Sequence, residues 1–181
     1  SLVERFKVTS MFSAPTAVRV LKKQDPAFLK KYDLSSLRAL FLAGEPLDET
    51  TAQWIADSLG RPIIDNYWQT ETGWPILSLC NGVEKAASKF GSPGKAVYGY
   101  DVKLIDESSG KEVTEPNQKG VVVVEGPLPP GCLQTVWRDD ERFARMQAGD
   151  WPDVPMMAID VPTAFDPSLV PHPGHQIAVT Q

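Results

Sequence analysis

The residues best suited to chemistry stand together at Asp65-Asn66-Tyr67-Trp68-Gln69-Thr70-Glu71-Thr72-Gly73. This stretch holds paired carboxylates, amides, hydroxyls and large aromatics, and it ends on a glycine. It follows Pro62-Ile63-Ile64, an apolar run that reads as a short buried strand. In open α/β sheets ligands sit beyond the carboxyl ends of the strands, so a strand that ends in polar groups presents them to a ligand. The stretch therefore reads as the floor of a nucleotide site.

That floor needs a sheet to carry it. Val8-Thr9-Ser10-Met11-Phe12 reads as a strand, turned by Ser13-Ala14-Pro15-Thr16 into a helix that ends on Lys22-Lys23 and is stopped by Asp25-Pro26. Pro15 suits a first helical turn, and terminal lysines suit the negative end of the helix dipole. Leu37–Ala43 is the strongest strand signal, and its near-continuous apolarity predicts burial on both faces, as in a parallel sheet. A helix is expected from Asp48 to Leu59, with Thr50 and Gln53 as its capping box. Its apolar stripe is Leu47, Thr51, Trp54, Ile55 and Leu59, and Gly60 and Pro62 close it. Ile63-Ile64-Asp65 is the next strand, so residues 37–66 form a βαβ unit with parallel strands and a right-handed crossover. Strands sharing one parallel sheet would bring the turns at Ser13–Thr16, Gly44–Pro46 and Asn66–Gly73 to one edge.

Beyond residue 75 the pattern changes. Val102–Asp106 and Lys119–Glu125 read as strands, joined through a turn at Glu107–Lys111, and predict an antiparallel patch. Asp139–Met146 reads as a short helix, acidic first and basic later. The organisation read from this is a core over 1–126, a connecting segment with a short helix over 127–146, and a tail over 147–181. The tail has six prolines, four aspartates and no Lys or Arg, and an irregular course is expected. A net charge of −5 argues against a nucleic-acid surface. No apolar run is long enough to span a membrane, and the first residues have no signal-peptide pattern. Cys80 and Cys132 have no metal-ligand spacing, and two free thiols suit a cytoplasmic setting. Without an initiator Met, the sequence reads as starting partway through a longer protein.

Three ordered motifs carry a family resemblance. Ser13-Ala14-Pro15-Thr16-Ala17, the run from Ser36 to Asp48 with Gly44-Glu45-Pro46 at its centre, and Asp65–Pro75 resemble the AMP-forming acyl-CoA synthetases. The likeness is closest to the branch that activates acetate and propionate. Gly126–Cys132 and Trp137–Phe143 resemble its propionate-activating members. The resemblance covers about residues 1–146. It implies an α/β fold, part of the large N-terminal domain of an adenylate-forming enzyme, with parallel βαβ units followed by the antiparallel patch. It also implies use of ATP, Mg²⁺ and coenzyme A, with small-molecule substrates and with neither nucleic acid nor membrane as a partner.

The implied reaction explains the residue types. A carboxylate is a poor electrophile, and adenylation gives it a good leaving group. The enzyme must hold the adenine, align the α-phosphate and neutralise charge as pyrophosphate departs. By resemblance Gly44, Glu45, Pro46, Asp65, Asn66, Tyr67, Trp68 and Gln69 flank the adenine. Thr70 meets the α-phosphate, and Glu71 supplies an oxygen ligand to Mg²⁺. Ala14 lies near the pantetheine arm of CoA. Trp68 corresponds to the tryptophan that limits the acyl pocket to short chains. Ala43 stands where some acetate-selective relatives carry valine, which leans toward propionate with acetate as the second acid. Taken alone, Gly44-Glu45-Pro46 is an ordinary strand-to-helix turn and Glu71 a surface acid; the ordered set gives them roles.

The sequence also departs from the family. It contains neither the Gly/Ser/Thr-rich phosphate loop nor the catalytic lysine of the C-terminal domain, so this chain alone is expected to lack full catalysis. Ala148-Gly149-Asp150 only faintly matches the ribose-binding segment, and His172 and His175 fit a plain tail better than a metal site. The loss of resemblance at Gln147 reads as an altered frame. A nucleotide-binding remnant without catalysis is the alternative. A dinucleotide-binding enzyme is disfavoured, because no Gly-x-Gly-x-x-Gly occurs.

Overall fold

The computed structural model describes residues 1–115 and 118–148, together with strand segments 156–158, 165–166 and 178–179. Ser10–Ser13 (β1), Ala39–Leu42 (β2) and Ile63–Tyr67 (β3) form the parallel half of a five-stranded sheet. β1 runs beside β2 with Ser13 opposite Leu42, and β2 beside β3 with Leu42 opposite Asp65. Their carboxyl ends therefore lie level, as the βαβ reading requires. Leu77–Ser78 (β4) and Lys95–Ala96 (β5) extend the sheet antiparallel. Strands of two residues carry no periodicity to read in a sequence.

Helices Pro15–Lys22 (α2) and Glu49–Leu59 (α4) cross between successive parallel strands; two short helices, Leu2–Phe6 (α1) and Ala27–Lys30 (α3), accompany them. Val18, Leu40, Leu42, Leu47, Ala52, Ile55 and Ile63 form the core on this side. The expected stripe of α4 is present, with Ala52 added to it.

Two expectations need correction here. The cap of α4 is Asp48, not Thr50 with Gln53: Asp48 Oδ1 accepts from the Thr51 amide at 2.8 Å, while Gln53 Nε2 donates to Asp57. A carboxylate accepts from helix-end amides more strongly than a neutral hydroxyl does. Asp48→Ala should therefore destabilise the chain by about 1–2 kcal/mol in urea unfolding. Thr50→Ala should cost less than about 0.5 kcal/mol, because Thr50 is exposed. A larger loss at Thr50 would return the cap to that residue. β2 is the second correction. Leu40 and Leu42 are buried against α2 and α4, but Ala39 and Phe41 on the other face are only half-buried, and the neighbouring Phe12 is 58% exposed. An unbroken apolar run states that both faces prefer burial; it does not state what covers each.

The antiparallel patch is a separate sheet. Asp101–Ile105 (β6) pairs with Val121–Glu125 (β7) from Asp101 opposite Glu125 to Ile105 opposite Val121. Met156–Ala158 (β8) joins the free edge of β7, and Phe165–Asp166 (β9) pairs with Ala178–Val179 (β10). These strands fall where an irregular course is expected; pairing of β8 with β7, and of β9 with β10, supplies order that local periodicity does not. Asp140–Ala148 (α5) is the expected short helix, capped by Asp139, whose Oδ1 accepts from the Arg142 amide at 2.9 Å. Ile76 and Leu77 pack with Val102, Leu104, Val113, Val122 and Val124, and Tyr67 and Tyr100 lie against them. This second core joins the two sheets, and the turn after β3 lies at their seam. No described helix is long and apolar enough to cross a membrane.

Candidate functional site at the carboxyl edge of the sheet

The ends of the parallel strands are tied to each other. The Ala43 amide donates to the Ser13 carbonyl at 3.3 Å. Asn66 Nδ2 donates to the carbonyls of Leu42 and Ile64, both at 3.0 Å, and Asn66 Oδ1 accepts from the Ser78 hydroxyl at 2.6 Å. Asn66 is buried and its amide is occupied inside the sheet, joining β2 to β4. Its side chain thus holds the edge together, and what it leaves for a ligand is backbone.

The turns that leave these ends carry most of the remaining expected residues. Ala14 caps α2 with backbone alone, in extended conformation. Ala43 is 4% exposed, directly after β2. Gly44 follows at φ 98, and a Cβ on it would meet nothing within 4 Å. The glycine is needed there for its backbone angle, and the space above it is open. Glu45 is engaged internally: its Oε1 accepts from the Thr16 amide at 3.1 Å and its Oε2 meets Arg19 Nη1 at 2.6 Å. The Thr16 hydrogen bond, with Arg19, holds the Glu45 carboxyl below the usual carboxylate range despite some burial.

Beyond β3 the chain passes through Trp68, 39% exposed, into a single 3₁₀ turn at Thr70–Thr72. Gln69 and Thr72 cap each other: the Gln69 amide donates to Thr72 Oγ1 at 3.0 Å, and Thr72 Oγ1 donates back to the Gln69 carbonyl at 2.7 Å. Gln69 Nε2 also contacts the Tyr67 hydroxyl at 3.4 Å. The turn is clamped from the second sheet. The Leu133 amide donates to the Glu71 carbonyl at 2.7 Å, and the Tyr100 hydroxyl to the Thr72 carbonyl at 2.8 Å. Cys132 is buried, with Sγ 3.5 Å from that same carbonyl. Burial, then the neighbouring Cys132, pushes the Tyr100 phenol up to about 12, so it stays a donor. Gly73 closes the turn at φ 67 against the Gly131 backbone. The clamp makes backbone contacts to Glu71 and Thr72 and leaves the side chains of Thr70 and Glu71 for other partners.

Asp65 ends the row. Burial pushes its carboxyl up to about 7, and the Asn66 amide at 3.0 Å offsets only part of that. No cation pairs with it among the described residues. A half-buried carboxylate that is largely desolvated and has no cation fits a site that receives a donor from a ligand. The donor set also fits Mg²⁺ shared with phosphate. No cluster of three or more His, Cys, Asp or Glu exists among the described residues, and Mg²⁺ commonly takes one or two carboxylates plus phosphate oxygens. Glu71, on the 3₁₀ turn, has no ion-pair partner among the described residues.

Tyr100, Cys132, Ser78 and Arg19 are the residues that sequence reasoning missed. Tyr100 and Cys132 reach Thr72 from 28 and 60 residues away, across the seam, where no local pattern marks them. Gly149, Asp150, His172 and His175 lie outside the described residues.

A parallel α/β sheet with its polar turns gathered at one carboxyl edge is thus joined to a small antiparallel sheet. The family model for AMP-binding enzymes matches residues 1–132, and the chain belongs to that family. The chain is 57% identical over 144 residues to the propionate–CoA ligase of Salmonella typhimurium, covering 80% of this chain and 23% of that protein. It is 56% identical over 145 residues to the propionate–CoA ligase of Escherichia coli, with the same coverage of each. The chain thus spans about a quarter of the length of these curated relatives. The crystal structure of the anthranilate CoA ligase AuaEII in complex with anthranoyl-AMP superposes with a TM-score of 0.76 at 25% identity, over 99% of this chain and 30% of that one.

Proposed function

We propose that these residues form the adenine and acyl floor of an AMP-forming acid–CoA ligase acting on short carboxylic acids, propionate before acetate, in the cytoplasm. The gathering of Gly44–Pro46, Asp65 and the Thr70–Glu71 turn at one sheet edge carries the reading. The names of the relatives that are more than half identical agree with it.

In this reading a carboxylate oxygen of the acid attacks the α-phosphorus of ATP. The new O–P bond forms as the bond from the α-phosphorus to the α,β-bridging oxygen breaks, and pyrophosphate leaves with its electron pair. CoA sulfur then attacks the acyl carbon, the C–O bond to AMP breaks, and the thiol proton passes to solvent. Mg²⁺ held with Glu71 would neutralise charge on the phosphates. The chain's own residues orient and exclude. Gly44–Pro46 and Tyr67–Trp68 flank the base, with Asp65, Asn66 and Gln69 in the same adenine segment. The Thr70 hydroxyl lines up the α-phosphate. Trp68 and Ala43 bound the acyl chain, and Ala14 stands on the CoA side. Holding reactants in line is the main contribution of such a floor.

The test is acid-dependent exchange of pyrophosphate into ATP by the full-length gene product, with a panel of short acids. Exchange driven best by propionate supports the reading. Nucleotide binding without exchange would instead assign a binding module, and a clear acetate preference would remove the propionate assignment. Ala43→Val should lower the propionate-to-acetate ratio of kcat/KM by about fourfold, the equivalent of one buried methylene at ~0.8 kcal/mol. An unchanged ratio would take Ala43 out of the acyl wall.

A further inference from the structure

Arg19 has no role in any motif above, yet its side chain meets three groups at the site edge. It lies on α2, half-buried, and reaches three groups on the turn after β2. Nη1 meets Glu45 Oε2 at 2.6 Å, Nη2 donates to the Pro46 carbonyl at 2.7 Å, and Nε meets Asp48 Oδ2 at 3.2 Å. A planar guanidinium can satisfy such a set at once, whereas an ammonium cannot. The second oxygen of Glu45 accepts from the Thr16 amide. That amide is one of the unpaired donors at the start of α2, whose own cap, Ala14, has no side-chain acceptor. Glu45 therefore serves as the cap of α2 from 29 residues away, and Arg19 fixes Glu45.

We propose that Arg19 is a positioning residue that sets the turn Gly44–Asp48 and the turn Ala14–Thr16 in one register. Resting on the functional reading above, this makes it the tie between the nucleotide side and the CoA side of the site. The ion pairs are partly solvent-exposed, and exposed pairs contribute little to stability. The value of the network is thus geometric. Without Arg19, Glu45 and Asp48 face each other as like charges, and Glu45 loses the contact that aims it at Thr16.

Arg19→Ala and Arg19→Lys in the full-length gene product test this. Arg19→Ala should leave the unfolding midpoint little changed. The Thr16 amide, which donates to Glu45, should exchange faster with solvent, and KM for both ATP and CoA should rise about tenfold with kcat less affected, the pattern of lost uniform binding. Arg19→Lys should recover less than half of that loss, because it restores charge without the fork. Unchanged exchange at Thr16 would overturn the proposal whatever the enzyme does. Faster exchange with unchanged KM values would overturn the link to substrate. Failure of the wild-type protein to exchange pyrophosphate with any short acid would refute the functional reading alone, and amide exchange would still decide the role of Arg19.

Discussion

Gly73→Ala should cost about 4 kcal/mol or more in urea unfolding, an exceptional loss for one methyl group. Two causes add. The residue sits at φ 67, where an L side chain pays about 1–2 kcal/mol. The new Cβ would also overlap the Gly131 carbonyl oxygen and lie 2.9 Å from its carbon. Backbone cannot rotate aside as a side chain can, so either the Thr70–Thr72 turn or the segment through Leu133 must shift. That shift would break the Leu133–Glu71 and Tyr100–Thr72 hydrogen bonds. Two controls isolate the cause. Gly44→Ala has φ 98 but open space, so it should show the conformational cost alone, about 1–2 kcal/mol. Gly131→Ala has open space at its own Cβ and should change stability by less than about 1 kcal/mol. If Gly73→Ala proves as mild as Gly131→Ala, the two sheets do not meet at this turn.

That contact shows what a sequence can and cannot disclose. The elements around β2, α4 and β3 were legible because each is local: an apolar run, a stripe at helical spacing, and Gly60 in the left-handed region at the end of α4. The grouping of three turns followed from parallel order, and the register of Ser13, Leu42 and Asp65 bears it out. The finer assignments depend on competition between near neighbours. Asp48 and Thr50 both offer an oxygen to the start of α4, and spacing alone did not show that the carboxylate takes the Thr51 amide. Asn66 and Glu45 belong to motif segments in which every residue looks available. Their side chains are in fact occupied by Leu42, Ile64 and Ser78 in one case, and by Thr16 and Arg19 in the other. Tyr100 and Gly131 meet the turn only because a second core brings the sheets together. Contacts of that kind are products of packing.

Asp65 gives the other large effect, through pH. Desolvation at its half-buried position pushes its carboxyl up to about 7 in the folded chain, against 3.8 as the ordinary value. Between those two values the folded state binds the extra proton. The stability that comes from keeping Asp65 neutral is therefore fully present below pH 3.8 and is lost as pH rises through 7. By pH 8 the loss approaches about 4 kcal/mol, since each tenfold change in proton affinity is worth about 1.4 kcal/mol. Asp65→Asn keeps an acceptor for the Asn66 amide and removes the charge. It should match the wild type near pH 4 and exceed it in urea stability at pH 8, and parallel stability profiles would refute the burial of an uncompensated carboxylate. The same cost argues for a ligand. A donor supplied from outside, such as the exocyclic amino group of adenine, favours the ionised form and would recover part of the loss. Adenosine, which has no phosphate to titrate, should stabilise the wild type more at pH 8 than at pH 6, and Asp65→Asn equally at both. Equal stabilisation of the wild type at the two pH values would place the base away from Asp65.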